Sequence, residues 1–282
     1  MSLLTIFAKR FIAGESKENA VKAVRDLNAL GMRTSLDILG ENVTSEQMAK
    51  DLADKYIDVL ETIDHENINA NVSVKLTQMG LDISDDFCFE NVSRIIEAAR
   101  DKGNFVRIDM EGSAYTQRTL DLVYRWADKY DNVGTVIQSM LYRSAGDIAE
   151  LISRGIRVRL CKGAYKEPSS VAFQKKEQVN DNFIALMKTL LDSGLFHSMA
   201  THDDAMIEAT KKHASENGIE KNKFEFQMLF GINRSGQAKL TQEGYGMLVY
   251  VPFGTHWFPY YYRRLRERKE NILFILKHLF KG

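Results

Sequence analysis

Polar and apolar residues alternate along several short stretches of this chain. In 72–77, Val72, Val74 and Leu76 fall on one face of an extended segment and Ser73, Lys75 and Thr77 on the other, because successive strand side chains point to opposite sides. In 105–111, Val106, Ile108 and Met110 oppose Arg107, Asp109 and Glu111; in 156–162, Ile156, Val158 and Leu160 oppose Arg157, Arg159 and Cys161. Eight β-branched or aromatic stretches of this kind occur, at 34–39, 72–76, 105–110, 135–140, 156–161, 198–202, 224–229 and 247–251. Between them run helix-patterned segments at 44–63, 86–102, 116–129, 146–154, 171–191 and 204–217, the first opened by Thr44 or Ser45 as cap. Gly31, Gly103, Gly155 and Gly218 follow helical runs, where a C-terminal turn favours glycine. Eight strands alternating with helices predict an α/β fold, a (β/α)8 TIM-type barrel. A doubly wound open sheet is the alternative. It usually carries a glycine-rich turn after its first strand, and no GxGxxG or GxxxxGK occurs here.

Strands covered by helices need an apolar outer face, so the polar set must point into the barrel. Gln138, His202 and Gln227 add single polar residues to their strands. Barrel interiors are ordinarily packed with branched aliphatics, and several buried charges are costly unless paired or used. The polar set is therefore a buried ion-pair network, a misassigned face, or a site.

Composition narrows the classes. The 282 residues carry 38 Lys+Arg against 38 Asp+Glu, and this balance argues against a protein built mainly to hold nucleic acid. The 44% hydrophobic and 27% charged fractions fit a globular chain and exclude a disordered one or a membrane bundle. Three prolines and no Pro/Gly/Ser-rich linker lead to one domain over 1–282. Cys88 and Cys161 form no CxxC pair, as in a reducing compartment, and Lys9 and Arg10 interrupt the opening too early for a secretory signal. A cytoplasmic location is expected. The six histidines form no HxH or HExxH, so no metal site is expected, and no GxSxG elbow exists.

Three constellations remain. Lys75, Asp109 and Arg159 lie at or near the carboxyl ends of three strands, where barrel enzymes place their chemistry. In the run from Trp257 to Arg268, Tyr260, Arg263, Arg264 and Glu267 share one side of a helix. Adjacent arginines there suit a bidentate carboxylate clamp; a solvated helix with a routine ion pair is the other reading. Lys162-Gly163-Ala164-Tyr165 offers backbone N–H groups and a cation to a phosphate or a flavin edge, or is a simple turn.

Taken together, the stretches Arg159–Tyr165, Ala200–His202, Phe226–Gly231 and Arg263-Arg-x-x-Glu267 resemble the proline dehydrogenase family in its short, monofunctional bacterial form. The stretches Phe11–Glu15, Val72–Leu76, Arg107–Glu111 and Val136–Ser139 fit in the same order, so the resemblance covers about residues 10 to 270. It implies a distorted (β/α)8 barrel with a final helix over its mouth and FAD at the carboxyl ends of the strands. The implied reaction is oxidation of L-proline to 1-pyrroline-5-carboxylate, with hydride passing from C5 to FAD N5 and electrons then to a quinone. Arg263, Arg264 and Lys75 would bind the proline carboxylate, with Glu267 pairing the arginines. Tyr165 and Tyr250 would wall the ring and Tyr260 would back the arginines. Asp109 would tune Lys75, and Arg159 would stand near the flavin N5. Met110, Gln138, Lys162, Gly163, Ala164, Thr201 and His202 would contact FAD. Asp203, where some members carry Asn, and Lys175-Lys176 fit less closely.

The resemblance also implies a quinone partner and product hand-off to a pyrroline-carboxylate dehydrogenase. The apolar residues 271–280 either pack on the barrel or make a peripheral membrane contact. Two rivals stay open: a Schiff-base aldolase using Lys75 or Lys162, and a non-catalytic barrel that binds small carboxylates.

Overall fold

The computed structural model describes residues 11–40, 43 and 45–257. The strands are β1 (Arg33–Ile38), β2 (Ala70–Val74), β3 (Val106–Ile108), β4 (Val133–Gln138), β5 (Arg157–Cys161), β6 (His197–Ala200), β7 (Phe224–Leu229) and β8 (Gly246–Phe253). They pair in parallel and in sequence order, and β8 returns to β1 to close the barrel. The helices are α1 (Lys17–Asn28), α2 (Glu46–His65), α3 (Asp85–Asp101), α4 (Ser113–Ala127), α5 (Ser144–Ser153), α6 (Lys176–Asp192), α7 (Asp204–Glu216) and α8 (Arg234–Gln242).

The alternation places its faces as expected. Val72, Val74, Ile108, Val158 and Leu160 are fully buried in the core between strands and helices. Burying each such side chain stabilises by about 1.5–3 kcal/mol. Ser45 caps α2 by accepting from the Met48 N–H at 3.3 Å, and the glycines after helical runs, such as Gly103 at φ 61°, take the left-handed turn.

Two helices escape the periodicity. The nine residues of α8 include only Ala238 and Leu240 as apolar anchors, and α1 buries only Ala20 and Val24. Helix α6 begins at Lys176, later than the 171 expected. Ala172 is drawn into an antiparallel bridge with Leu141, and the Phe173 N–H donates to the Met140 carbonyl at 2.8 Å, which keeps that stretch extended.

The amino-terminal end of the barrel is filled by polar groups, many of them hydrogen-bonded to one another or to the backbone. Glu225 pairs with Arg33 and accepts from Ser198 Oγ at 2.9 Å and Gln227 Nε2 at 2.7 Å. Arg107 donates from Nη1 to the carbonyls of Thr135 (3.0 Å) and Arg157 (2.7 Å) and lies over the Phe105 ring. Gly134 makes room for it: a Cβ there would stand 2.7 Å from Arg107 Nη1. Burial, then the charge of Arg159, pulls Arg107 down to about 9. Arg157 shares the inward parity with Arg159, but as the first residue of β5 it is exposed, and its guanidinium rests over Phe105 instead of entering the interior.

Candidate active site

At the carboxyl end, β1, β2, β3, β5 and β8 converge on one charged cluster. Lys75 follows β2 directly, and its Nζ lies 2.6 Å from Asp37 Oδ1, 3.1 Å from Tyr250 Oη and 3.6 Å from Asp109 Oδ2. Tyr250 donates to Asp109 Oδ2 at 2.7 Å, while Arg159 Nη1 donates to Asp109 Oδ1 at 2.9 Å. Arg159 Nη2 reaches Ser73 Oγ at 3.1 Å, and Ser73 Oγ meets Ser35 Oγ at 2.9 Å. Lys75, Asp109 and Arg159, separated in sequence by 34 and 50 residues, are thus one hydrogen-bonded unit.

Burial alone would push the Lys75 ammonium down. The charges of Asp37 and Asp109 outweigh it and hold the pKa above the ordinary lysine value. Two cations and two carboxylates make the cluster neutral as a whole. The Lys75 side chain keeps some exposure.

Sequence reasoning passed over Asp37, the fully buried partner of Lys75. The signal was present, because Ser35 and Asp37 alternate with Leu36 and Ile38. Glu225 was overlooked too. Glu111, placed on the inward face, anchors the turn after Lys75 by accepting from Thr77 N (3.1 Å) and Thr77 Oγ1 (2.6 Å). Burial raises its pKa despite those bonds.

A second group of residues lines the same end. Gln138 donates from Nε2 to the Glu111 carbonyl at 2.8 Å, with the Met110 carbonyl at 3.4 Å, while its Oε1 is buried and accepts no hydrogen bond among the described residues. Arg159 Nε is likewise buried without an acceptor among them. Gly163 has φ 112°, and a Cβ there would meet Met140 Sδ at 2.3 Å. Lys162 Nζ bonds Asp203 Oδ2 at 2.5 Å. Burial pushes Asp203 up, but the Lys162 hydrogen bond and charge bring it below the usual carboxylate range. His202 Nε2 accepts from the Leu229 N–H at 3.1 Å, which places a neutral ring's proton on Nδ1. Thr201 Oγ1 accepts from the Asp203 N–H at 3.1 Å. Tyr165 packs with Met140 and Leu141, and Ala164 precedes it.

An open buried acceptor, an open buried guanidinium N–H and a glycine cradle fit the edge of a flavin, which carries both donors and acceptors on its ring system. Tyr260, Arg263, Arg264 and Glu267, together with 271–280, lie outside the described residues. Among the described residues no group of three or more His, Cys, Asp or Glu is placed to hold a metal ion, and no helix is long and apolar enough to cross a membrane.

Comparison with known proteins converges on one family. The family described as "Proline dehydrogenase" matches residues 20–276. "Proline dehydrogenase 2" of Bacillus subtilis (strain 168) is 41% identical over 276 residues, covering 98% of this chain and 91% of the relative. "Proline dehydrogenase" of Deinococcus radiodurans is 38% identical over 280 residues, covering 98% and 90%. Among solved structures, proline utilization A (PutA) from Bdellovibrio bacteriovorus, inactivated by N-propargylglycine, superposes with a TM-score of 0.87 at 26% identity. That match covers 93% of this chain and 32% of the other, so the chain spans about a third of the PutA length.

Proposed function

The chain belongs to the proline dehydrogenase family and is an oxidoreductase acting on proline in the first step of proline catabolism; we propose that it works with FAD, yielding 1-pyrroline-5-carboxylate and passing electrons to a quinone. The family's members are flavoenzymes in general. The observation that carries the reading is the neutral cluster at the carboxyl end, with Lys75 held charged by Asp37 and Asp109. The whole chain then serves as one FAD-binding domain.

Met110, Gln138, Lys162, Gly163, Ala164, Thr201 and His202 would hold FAD, which would supply a two-electron acceptor for the C5 hydrogen of proline. Arg159, whose Nε is buried without an acceptor among the described residues, would offer a cation to stabilise developing negative charge. Lys75 would grip the proline carboxylate, a role that Arg263 and Arg264 would share, with Glu267 as their proposed partner. Tyr165 and Tyr250, with Tyr260, would wall the ring and exclude water. Asp109 fixes the Tyr250 phenol and, behind Asp37, helps to hold the Lys75 ammonium charged. The substrate amine gives its proton to water, because Lys75 is already protonated and Asp109 is occupied by Arg159 and Tyr250.

A Schiff-base lysine needs a depressed pKa to attack a carbonyl. Lys75 is displaced the other way, which argues against Lys75 as a Schiff-base nucleophile. A cytoplasmic location, peripheral contact with the membrane to meet quinone, and hand-off of the product to a pyrroline-carboxylate dehydrogenase complete the proposal. The test is the visible spectrum of the purified protein. Flavin bands bleached by proline are expected, with Arg264→Met raising the proline KM far more than it alters flavin content. A colourless protein, or bands untouched by proline, refutes it.

A further inference from the structure

Helix α4 starts without a cap of its own. Its N-cap is Gly112, at φ −61° and ψ 160°, with no side chain to offer the first turn, whose N–H groups have no acceptor within the helix. The acceptor comes from Glu167, 54 residues further along the chain. Its Oε1 takes the Ser113 N–H at 2.7 Å, and its Oε2 takes the Ser113 hydroxyl. A carboxylate at the positive end of a helix, accepting two hydrogen bonds, makes a strong tie between segments. Gly112 also lets the two segments approach. A Cβ there would stand 3.6 Å from Glu167 Oε1 and 4.0 Å from Tyr165 Cδ1. The contact that completes α4 therefore seats Tyr165, two residues before Glu167. The far side of the same 162–175 segment is tied by the Met140 N–H on the Lys162 carbonyl (2.9 Å) and by Lys162 on Asp203.

We propose that Glu167 is a positioning residue, a latch that docks the 162–175 segment on α4. It thereby holds Tyr165 and the backbone of Lys162, Gly163 and Ala164 in register for substrate and flavin. The inference rests on the proposed function, in which those residues wall proline and hold FAD.

Ser113 allows the latch to be cut from its other half. It is the first helical residue, where proline is tolerated because the helix itself does not use that N–H. Gly112 already has the extended ψ that a residue before proline requires. Ser113→Pro thus removes both groups that Glu167 accepts while leaving α4 able to form.

The experiment compares the holoenzyme with Ser113→Pro, Glu167→Ala and the two combined. Proline KM and kcat, flavin retained through dialysis, and the rate of tryptic cleavage after Lys166 are measured. Each single variant is expected to raise KM about five- to tenfold with kcat changed less than about threefold, the signature of lost binding that substrate and transition state share. Flavin retention falls and cleavage after Lys166 quickens. The combined variant is no worse than the poorer single one, because both cut one tie. Glu167→Gln, which keeps an acceptor, recovers part of the KM. Effects that multiply in the combined variant overturn the latch, as do wild-type KM and cleavage in both single variants. Should Ser113→Pro fail to fold, Ser113→Ala replaces it in the same cycle. A wild-type protein without proline-bleachable flavin refutes the functional reading instead, and the cleavage rates then judge the latch on their own.

Discussion

Buried cations sit at both ends of this barrel, and Lys75 and Arg107 are held by opposite means. At the carboxyl end each ion meets an ion of the other sign: Lys75 with Asp37 and Asp109, Asp109 with Arg159. At the amino end Arg107 is held by two backbone carbonyls and an aromatic face. There His197 remains neutral, accepting the Val158 N–H at Nδ1 and facing Ser193 Oγ with Nε2. The displacements of the pKa values follow. Lys75 is driven up by its acids, whereas Arg107 falls to about 9 and His197 to about 4, burial being the largest cause for each. An ammonium compensated by side chains can turn toward an incoming carboxylate. A guanidinium held by two strand carbonyls cannot turn without giving up both hydrogen bonds. Buried charge as such does not mark a site; the kind of partner does.

The comparison breaks most visibly at Lys75. Lys75→Met leaves Asp37, fully buried, without its cation, and should cost about 3–5 kcal/mol of stability. It should also lower kcat/KM for proline on the order of 10²- to 10³-fold, as for a truncated buried charge pair. The decisive variant adds Asp37→Asn. Removing the stranded carboxylate should return most of the stability, read by urea unfolding, and none of the activity. Recovery of both would make Lys75 a structural residue like those at the other end.

That contrast also explains what was legible in the chain. Strand parity is a period-2 property of consecutive residues, so Lys75, Asp109 and Arg159 announced themselves as inward-facing before any contact was known. All eight strands were legible as β-branched or aromatic stretches, and the absence of a glycine-rich turn favoured the closed barrel over an open sheet, as observed. The distinction between the two ends did not. Arg107 on β3 and Arg159 on β5 have the same inward parity, and only the barrel's closure decides which meets a carboxylate and which meets carbonyls. Asp37 went unnoticed, although Ser35 and Asp37 alternate with Leu36 and Ile38, because strand parity alone says nothing of a lysine 38 residues away. Glu167 gave no signal, since a cap supplied from another loop leaves no local spacing to read.

Arg107→Met sharpens the comparison from the other end. It strips two carbonyls of their donor and leaves Phe105 and Gly134 facing a thioether. A stability loss of about 2–4 kcal/mol is expected from the unmet carbonyls and lost packing. The proline kcat/KM, taken below the unfolding range, should stay within about threefold of wild type. A hundredfold loss would show that both ends act on the substrate.

The pH dependence of stability separates the ends as well. His197 has a folded pKa near 4 against an ordinary 6.5. Between these values the unfolded chain binds a proton that the folded ring refuses, so stability rises with pH and is lost as pH falls from 6.5 toward 4. The loss amounts to at most about 3 kcal/mol. Lys75, raised above the usual lysine value, stays charged throughout that window. Acid should therefore inactivate by unfolding, and His197→Asn, which keeps an acceptor for Val158, should flatten the slope of stability between pH 4 and 6.5. An unchanged slope in that variant would assign the acid loss elsewhere.

The smallest effect is expected at Arg33, although its distance to Glu225 makes it look as tight a pair as Lys75 with Asp37. Arg33 is 44% exposed, whereas Glu225 is 3% exposed. Half of the pair therefore already lies in water, where an ion pair contributes little. Glu225 also keeps two donors, Ser198 Oγ and Gln227 Nε2, when Arg33 is gone. Arg33→Gln should cost about 1 kcal/mol and leave the proline kcat/KM unchanged within error. Asp37, by contrast, has Lys75 as its ion partner and one oxygen that accepts nothing among the described residues. If Arg33→Gln destabilised as much as Lys75→Met, the pair's geometry would govern its worth. If the difference of several kcal/mol appears, the number of neutral donors left behind governs it, and that number is what sets the two ends apart.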